Sequence, residues 1–200
     1  MIITNKSTVF ILFFKKILSF LLITFLFSEY GKNIVQYDEF DWHFIQTKHY
    51  DIYYYGNGEN NVEFVASHAE KAHDKIEKYI GWGLNERSAI IYYNSHNEFQ
   101  QTNVIESYMR EGIGGVTELI KNRMVIPYDG SLKDFSHVIY HELVHVFIND
   151  GMYGGSLQNL LSSNNAVIIP LWMNEGLAEY LAHPWDVNSD MWMRDLAINS

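Results

Sequence analysis

The sequence predicts an α+β domain in which a small, mixed and twisted β-sheet packs on helices. Short segments rich in aromatic and β-branched residues, such as 49–55 and 88–94, have the composition of strands. Between Val62 and Ile80, by contrast, apolar residues recur at spacings of three and four, which is typical of an amphipathic helix. Apolar residues make up 48% of the chain and charged residues 19%, so the composition is that of a globular protein with a core.

The first 28 residues are predicted to be a targeting segment, either a signal peptide or an N-terminal anchor. Lys15 and Lys16 precede an apolar run of 11 residues, Ile17–Phe27. This length is typical of the core of a signal peptide and is short for a membrane span. We therefore expect export to the periplasm, the cell envelope or the medium. The alternatives are an uncleaved anchor, which would be the contact with the membrane, and a buried N-terminal helix.

The rest of the chain is interpreted as a linker over residues 29–44 and a domain over residues 45–200, with further domains expected to follow. The formal net charge is −10, which argues against nucleic acid as a partner. The chain has no cysteine, so disulfides, iron–sulfur clusters and cysteine nucleophiles are excluded. A zinc ion would have to be held by His, Asp or Glu side chains.

The first half of the domain is predicted to contain two strands and two helices. The first strand ends at the turn Gly56–Gly58. The helix that begins near Val62 then leads to a second strand over residues 88–94. Ser95, followed three residues later by Glu98, has the spacing of a capping box and predicts a short helix.

A hairpin is predicted next, with Val116–Ile120 and Arg123–Ile126 as its arms. Pro127 lacks the N–H that a strand ladder needs, so the second arm should end there. Two helices complete the domain. One should span about residues 132–149, with a serine cap before it and glycines at 151, 154 and 155 to end it, and the other should start after Pro170.

The stretch HELVH, residues 141–145, contains the residues that most directly indicate a metal-binding and catalytic function. Positions four apart lie on the same face of a helix, so His141 and His145 can point their imidazole rings at one ion. Glu142 lies about 100° around the helix, beside that ion, where a general base belongs. The alternative is an amphipathic helix with solvated or hydrogen-bonded histidines. The apolar flanks favour the metal site, because buried histidines and a glutamate are costly without partners.

The last predicted helix offers a candidate for the third metal ligand in the stretch WMNEGLAEYL. Glu175 is that candidate, and 29 residues separate it from His145. Glu179 lies one turn later on the same face and can accept the outward N–H of a ligating histidine. The alternative is an ordinary helix with a solvated acidic face.

HELVH followed by W-x-N-E-G-x-A-E-Y resembles the gluzincin zinc metallopeptidases, and residues 45–183 resemble the bacterial peptidase-MA-like domains. The resemblance implies a zincin-like fold with an edge hairpin and a single bound Zn²⁺ ion. The residues that match the motif are the ligands His141, His145 and Glu175, the catalytic Glu142, and Asn174 and Glu179 around the glutamate ligand. Such domains often precede a TolB-like β-propeller in exported proteins, which is the continuation that we expect.

The activity implied by the resemblance is hydrolysis of a peptide or protein by zinc-activated water, with Glu142 as the general base. The chain lacks the G-x-M-E-N motif of the zinc aminopeptidases, so an endopeptidase is favoured. An extended peptide would add to the edge hairpin, where Gly115, Val116 and Thr117 are candidate substrate-binding residues, unless the hairpin is purely structural. The alternative function is a metal-stabilised, catalytically silent binding or assembly module of an exported multidomain protein.

The residue that would stabilise the developing charge on the substrate is left open by the sequence. His137 lies one turn before His141 on the same face and either lines the site or lies on the helix surface. His183 is either a donor to the site or an exposed or capping residue. Tyr180 is expected to pack in the core.

Overall fold

The computed structural model describes residues 15–16, 36–104, 113–118, 122–154, 169–183 and 185–199. The chain divides into two units, Met1–Asn33 and Ile34–Ser200, and all of the strands and helices given below belong to the second. Apart from Lys15 and Lys16, the predicted targeting segment lies outside the described residues. Within the described ranges, no helix is both long and apolar enough to cross a bilayer.

A five-stranded mixed sheet forms the centre of this unit. Its strands are β1 (Trp42–Gln46), β2 (Tyr50–Tyr55), β3 (Ser88–Tyr93), β4 (Val116–Thr117) and β5 (Arg123–Pro127), in the spatial order β1-β2-β3-β5-β4. The three central strands are parallel to one another, and each edge strand is antiparallel to its neighbour. With the helices, this arrangement confirms the predicted α+β class.

The described residues of this unit include five α-helices: α1 (Glu59–Ile80), α2 (His96–Phe99), α3 (Leu132–Tyr153), α4 (Leu171–Ala182) and α5 (Val187–Asn199). Alternate strand residues face α1 and α3 and form one core with them. Fully burying one such side chain contributes about 1.5–3 kcal/mol. The largest residues of this core are Tyr50, Ile52, Ile90, Tyr92, Met124 and Ile126 from the sheet, Ile76 from α1, and Phe135, Ile139 and Phe147 from α3.

Strand β1 lies partly within residues 29–44, which the sequence had suggested to be a linker. Its backbone pairs with β2 from Trp42 opposite Tyr55 to Gln46 opposite Asp51. Most of its side chains are exposed, and only Ile45 is partly buried. An edge strand held by backbone hydrogen bonds carries no strong alternation of apolar and polar residues, so the pattern could not reveal it. The folded domain therefore begins before residue 45.

Helix α3 begins as predicted, because the Ser131 side chain accepts a hydrogen bond from the Asp134 N–H at 3.2 Å. The predicted end near residue 149 was wrong, since the helix continues to Tyr153 and ends at Gly154 with φ 61°. Gly151 lies inside the helix. A side chain does not fit at this position, because a Cβ there would lie 2.3 Å from Nε1 of Trp82. That glycine reflects close packing rather than a helix stop.

A buried carboxylate connects the hairpin β4–β5 to the end of α3. Asp150, which is 2% exposed, accepts hydrogen bonds from the Asn122 side-chain amide at 2.6 Å and from the Asn85 backbone N–H at 2.8 Å. Asn122 directly precedes β5 and has φ 46°. Strand β5 ends at Pro127 as predicted. Strand β4 consists of Val116 and Thr117, Glu118 is not part of it, and residues 119–120 of the predicted arm lie outside the described residues. The edge hairpin is thereby held beside the helix that carries HELVH.

Candidate metal centre

Three side-chain atoms from α3 and α4 converge on one point. Nε2 of His141 lies 3.2 Å from Nε2 of His145 and 3.2 Å from Oε2 of Glu175, and the remaining distance, between His145 Nε2 and Glu175 Oε2, is 3.5 Å. In a tetrahedral zinc site with metal–ligand distances of about 2.0–2.1 Å, neighbouring ligand atoms lie about 3.3–3.4 Å apart. The triangle of donor atoms therefore fits a single ion of this kind, and the three residues could hold one.

Helix α4 reaches the site because its packing against α3 is close. Ala178 and Leu181 are buried at this contact, and the small side chain of Ala178 lets the two helices approach. Lys75 of α1 donates to the Leu181 carbonyl at 2.5 Å, which satisfies a carbonyl near the C-terminus of α4. This packing brings Glu175 to His141 across 34 residues of sequence.

His145 has a buried second nitrogen that faces away from the three-atom cluster. Its Nδ1 and the Oδ1 of Asn174 are both buried without a hydrogen-bond partner within the described residues. Pairing these two atoms would place the proton of a neutral His145 on Nδ1 and leave the Nε2 lone pair for a metal. Burial, followed by the charge of His141, lowers the pKa of His145.

Glu179 lies behind His141. Its Oε2 is 3.4 Å from Nδ1 of His141 and 3.2 Å from Nε2 of His137. The same three residues form a second set of donor atoms that could hold an ion. Since the two sets share His141, they compete for one imidazole ring.

Glu142 lies beside the three-atom cluster, buried under strand β4. It is 7% exposed, and the Thr117 hydroxyl donates to its Oε2 at 2.7 Å. A Cβ at Gly115 would lie 2.7 Å from Glu142 Cγ, so the strand can pass this close only because residue 115 is glycine. Burial raises the pKa of Glu142 to about 6, and the Thr117 hydrogen bond opposes part of that rise. A carboxyl group with this pKa can exchange protons near neutral pH.

The whole arrangement opens into a cleft of about 540 Å³. Its lining consists of residues 113–117 from the loop and edge strand, His141, Glu142, His145 and Asn149 from α3, and Asn174 and Glu175 from α4. Another cleft, of about 360 Å³, is lined by residues such as Trp42, Tyr53 and Arg123 and contains none of the predicted site residues. The candidate metal ligands and Glu142 therefore all lie in the first cleft.

The predicted edge-strand residues all line this cleft, but their contacts differ from the expected ones. Thr117 and Gly115 were predicted to bind substrate, but the Thr117 hydroxyl donates to the side chain of Glu142 and Gly115 passes close to it. Asn149 was not predicted, although its position four residues after His145 places it on the same face of α3. The prediction for Tyr180 was wrong, because that side chain is 61% exposed. His183 is the C-cap residue of α4, and its ring lies 5.5 Å from that of His137.

Comparisons of this chain with protein-family models, with curated proteins and with solved structures find no match. The interpretation of the cleft therefore depends on its own geometry.

Proposed function

We propose that this domain is a zinc-dependent metallopeptidase of the gluzincin type, with a zincin-like fold and the architecture of the peptidase-MA-like domains. Its substrate would be a peptide or protein, cleaved within the chain, and its location would be outside the cytoplasm. The observation that carries the proposal is the triangle of donor atoms from His141, His145 and Glu175 beside the buried carboxylate of Glu142.

The donor set supports zinc in particular. Two imidazole nitrogens and one carboxylate oxygen suit Zn²⁺, and three protein ligands leave a fourth position open for catalysis. Bound zinc would lower the pKa of a water molecule to roughly 7 and polarise the substrate carbonyl. A purely structural zinc site usually has four protein ligands and needs no general base. Glu142, buried in the same cleft, fits the catalytic alternative.

The residues of the cleft would then have separate roles in hydrolysis. Glu142 would take a proton from the attacking water and deliver it to the departing amide nitrogen. Thr117 would hold the Glu142 carboxylate through the 2.7 Å hydrogen bond to Oε2. The outer edge of β4, which pairs with no other described strand, would pair with an extended peptide backbone.

Purified protein should contain one zinc ion per chain and should hydrolyse an unfolded protein such as casein. A strong chelator of divalent metals should abolish this hydrolysis, and added zinc should restore it, because the attacking water is activated by the ion. Metal analysis and release of acid-soluble peptide are the measurements.

A non-chelating isomer of the same chelator is the control and should leave hydrolysis unchanged. Protein without zinc affinity would contradict the proposal. Zinc binding without hydrolysis of any peptide in a diverse library would favour the catalytically silent binding or assembly module instead.

Replacing Thr117 with valine should lower kcat by about 10- to 100-fold, because a hydrogen bond to a charged group contributes about 1.5–3 kcal/mol. Valine keeps the shape of the side chain and removes the hydroxyl that holds Glu142. Zinc affinity and KM should remain close to those of the wild type, since Thr117 is not one of the three proposed ligands. Steady-state kinetics with a fluorogenic peptide and zinc titration measure these quantities.

The matched control is Thr117→Ser, which retains the hydroxyl and should recover most of kcat. Loss of kcat in the serine variant but not in the valine variant would show that the methyl group, and not the hydrogen bond, matters at this position.

A further inference from the structure

Three histidines lie at intervals of four residues along α3, and the proposed zinc site uses two of them. The third, His137, has its Nε2 3.2 Å from Oε2 of Glu179. That same carboxylate oxygen lies 3.4 Å from Nδ1 of His141. One oxygen of Glu179 therefore connects His137 with the outward nitrogen of a proposed zinc ligand.

The direction of the hydrogen bond at His141 follows from its position in the three-atom cluster. Its Nε2 faces Glu175 and His145, and a ligating imidazole presents an unprotonated nitrogen to the metal. A neutral ring then carries its proton on Nδ1. That N–H faces Oε2 of Glu179 at 3.4 Å, and the carboxylate must be correctly aimed in order to accept it.

The proton of His137 can be placed by a similar argument. Its Nδ1 is buried and has no hydrogen-bond partner among the residues that the structure describes. A proton on Nδ1 would leave a buried N–H without an acceptor, which is unfavourable. A proton on Nε2 instead faces Oε2 of Glu179, which lies 3.2 Å away. The ring of His183 packs edge-on against His137, with the centroids 5.5 Å apart, and restrains its orientation.

Glu179 needs such an anchor because it lies at the surface. Its side chain is 60% exposed, and a glutamate side chain has several rotamers that point into solvent. A donor from the neighbouring helix restricts it to the rotamer that faces His141. His137 is well placed for this, since it precedes His141 by one helical turn on the same face of α3.

We propose that His137 is a positioning residue for the metal centre. Its Nε2–H holds the Glu179 carboxylate against Nδ1–H of His141, and this chain of hydrogen bonds keeps the Nε2 lone pair of His141 directed at the ion. The inference rests on the proposed zinc site. This arrangement also excludes a second ion held by His137, His141 and Glu179. The neutral imidazole of His141 cannot offer a lone pair from both of its nitrogens.

The test compares the zinc affinity of two variants by competition with a chromophoric chelator. His137→Phe keeps a ring for packing against His183 and removes the donor, so the dissociation constant should rise about 10- to 100-fold. His137→Gln places an amide N–H near the position of Nε2 and should stay within about threefold of the wild type, because the donor is restored. The melting temperature of the zinc-free protein should be the same in all three proteins.

A matched control and a double variant complete the experiment. His43→Phe makes the same exchange on the exposed strand β1 and should leave zinc affinity unchanged. In a Glu179→Ala background, adding His137→Phe should have no further effect, because His137 acts through Glu179.

Wild-type protein that binds no zinc would overturn the proposed function and this inference together. Tight wild-type binding that His137→Phe leaves intact would overturn the inference alone. Additive effects of the two substitutions, or a second equivalent of zinc that depends on His137, would also overturn it.

Discussion

Replacing Glu142 with glutamine is expected to lower peptide hydrolysis by about 10²- to 10⁴-fold, which is the usual contribution of a general base. Glutamine has nearly the same shape and can still accept the hydrogen bond from Thr117, but it cannot take up a proton from water. Zinc should stay bound, because Glu142 lies beside the triangle of donor atoms and is not one of its corners.

The measurement is kcat/KM for a fluorogenic peptide, with the zinc content of each preparation determined in parallel. Glu63→Gln, an exchange at an exposed position of α1, is the matched control and should leave both quantities unchanged. Equal hydrolysis by the Glu142→Gln variant and the wild type, at equal zinc content, would exclude Glu142 as the base.

The pH dependence follows from the same residue. Without a bound ion, burial raises the pKa of Glu142 to about 6, and a nearby cation would lower it. The ionised form acts as the base, so it is present at neutral pH, and in the zinc-loaded enzyme it is lost only at a pH below about 6. Activity should therefore decline on the acid side.

Much of this site could be predicted because it depends on local spacing. The interval between His141 and His145 fixes a common helix face whatever the fold, and the cap at Ser131 fixes where that helix begins. Glu175 could be proposed because a zinc site with two histidines on one helix needs another ligand. The contact between α3 and α4 brings it within 3.2 Å of His141.

The features that sequence could not reveal depend on contacts between distant segments. Glycine at position 115 resembles any loop glycine until β4 is seen to pass over Glu142. Thr117 is one hydroxyl among many, and only the register of β4 against β5 brings it to that carboxylate. The role inferred for His137 required the distance across the helix pair to Glu179. Periodicity reports which face a residue occupies, and not what lies opposite.

Replacing Glu175 with alanine is expected to cause the largest loss of zinc affinity among the carboxylate variants. Zinc sites with four protein ligands bind with about 10–16 kcal/mol, so one ligand contributes about 3 kcal/mol. That corresponds to a rise in the dissociation constant of about 10²-fold or more. The Glu175 side chain is 48% exposed, so its truncation should leave the stability of the zinc-free protein within about 0.5 kcal/mol of the wild type.

The informative comparison is with Glu179→Ala, because the two carboxylates belong to the two competing sets of donor atoms. If the ion binds between His141, His145 and Glu175, the loss at Glu175 should exceed the loss at Glu179, where only the 3.4 Å contact with Nδ1 of His141 is removed. The reverse order would place the ion in the other set, with His137 as a ligand. Zinc titration of both variants therefore decides which carboxylate is the ligand, and with it whether the buried Glu142 is positioned for catalysis.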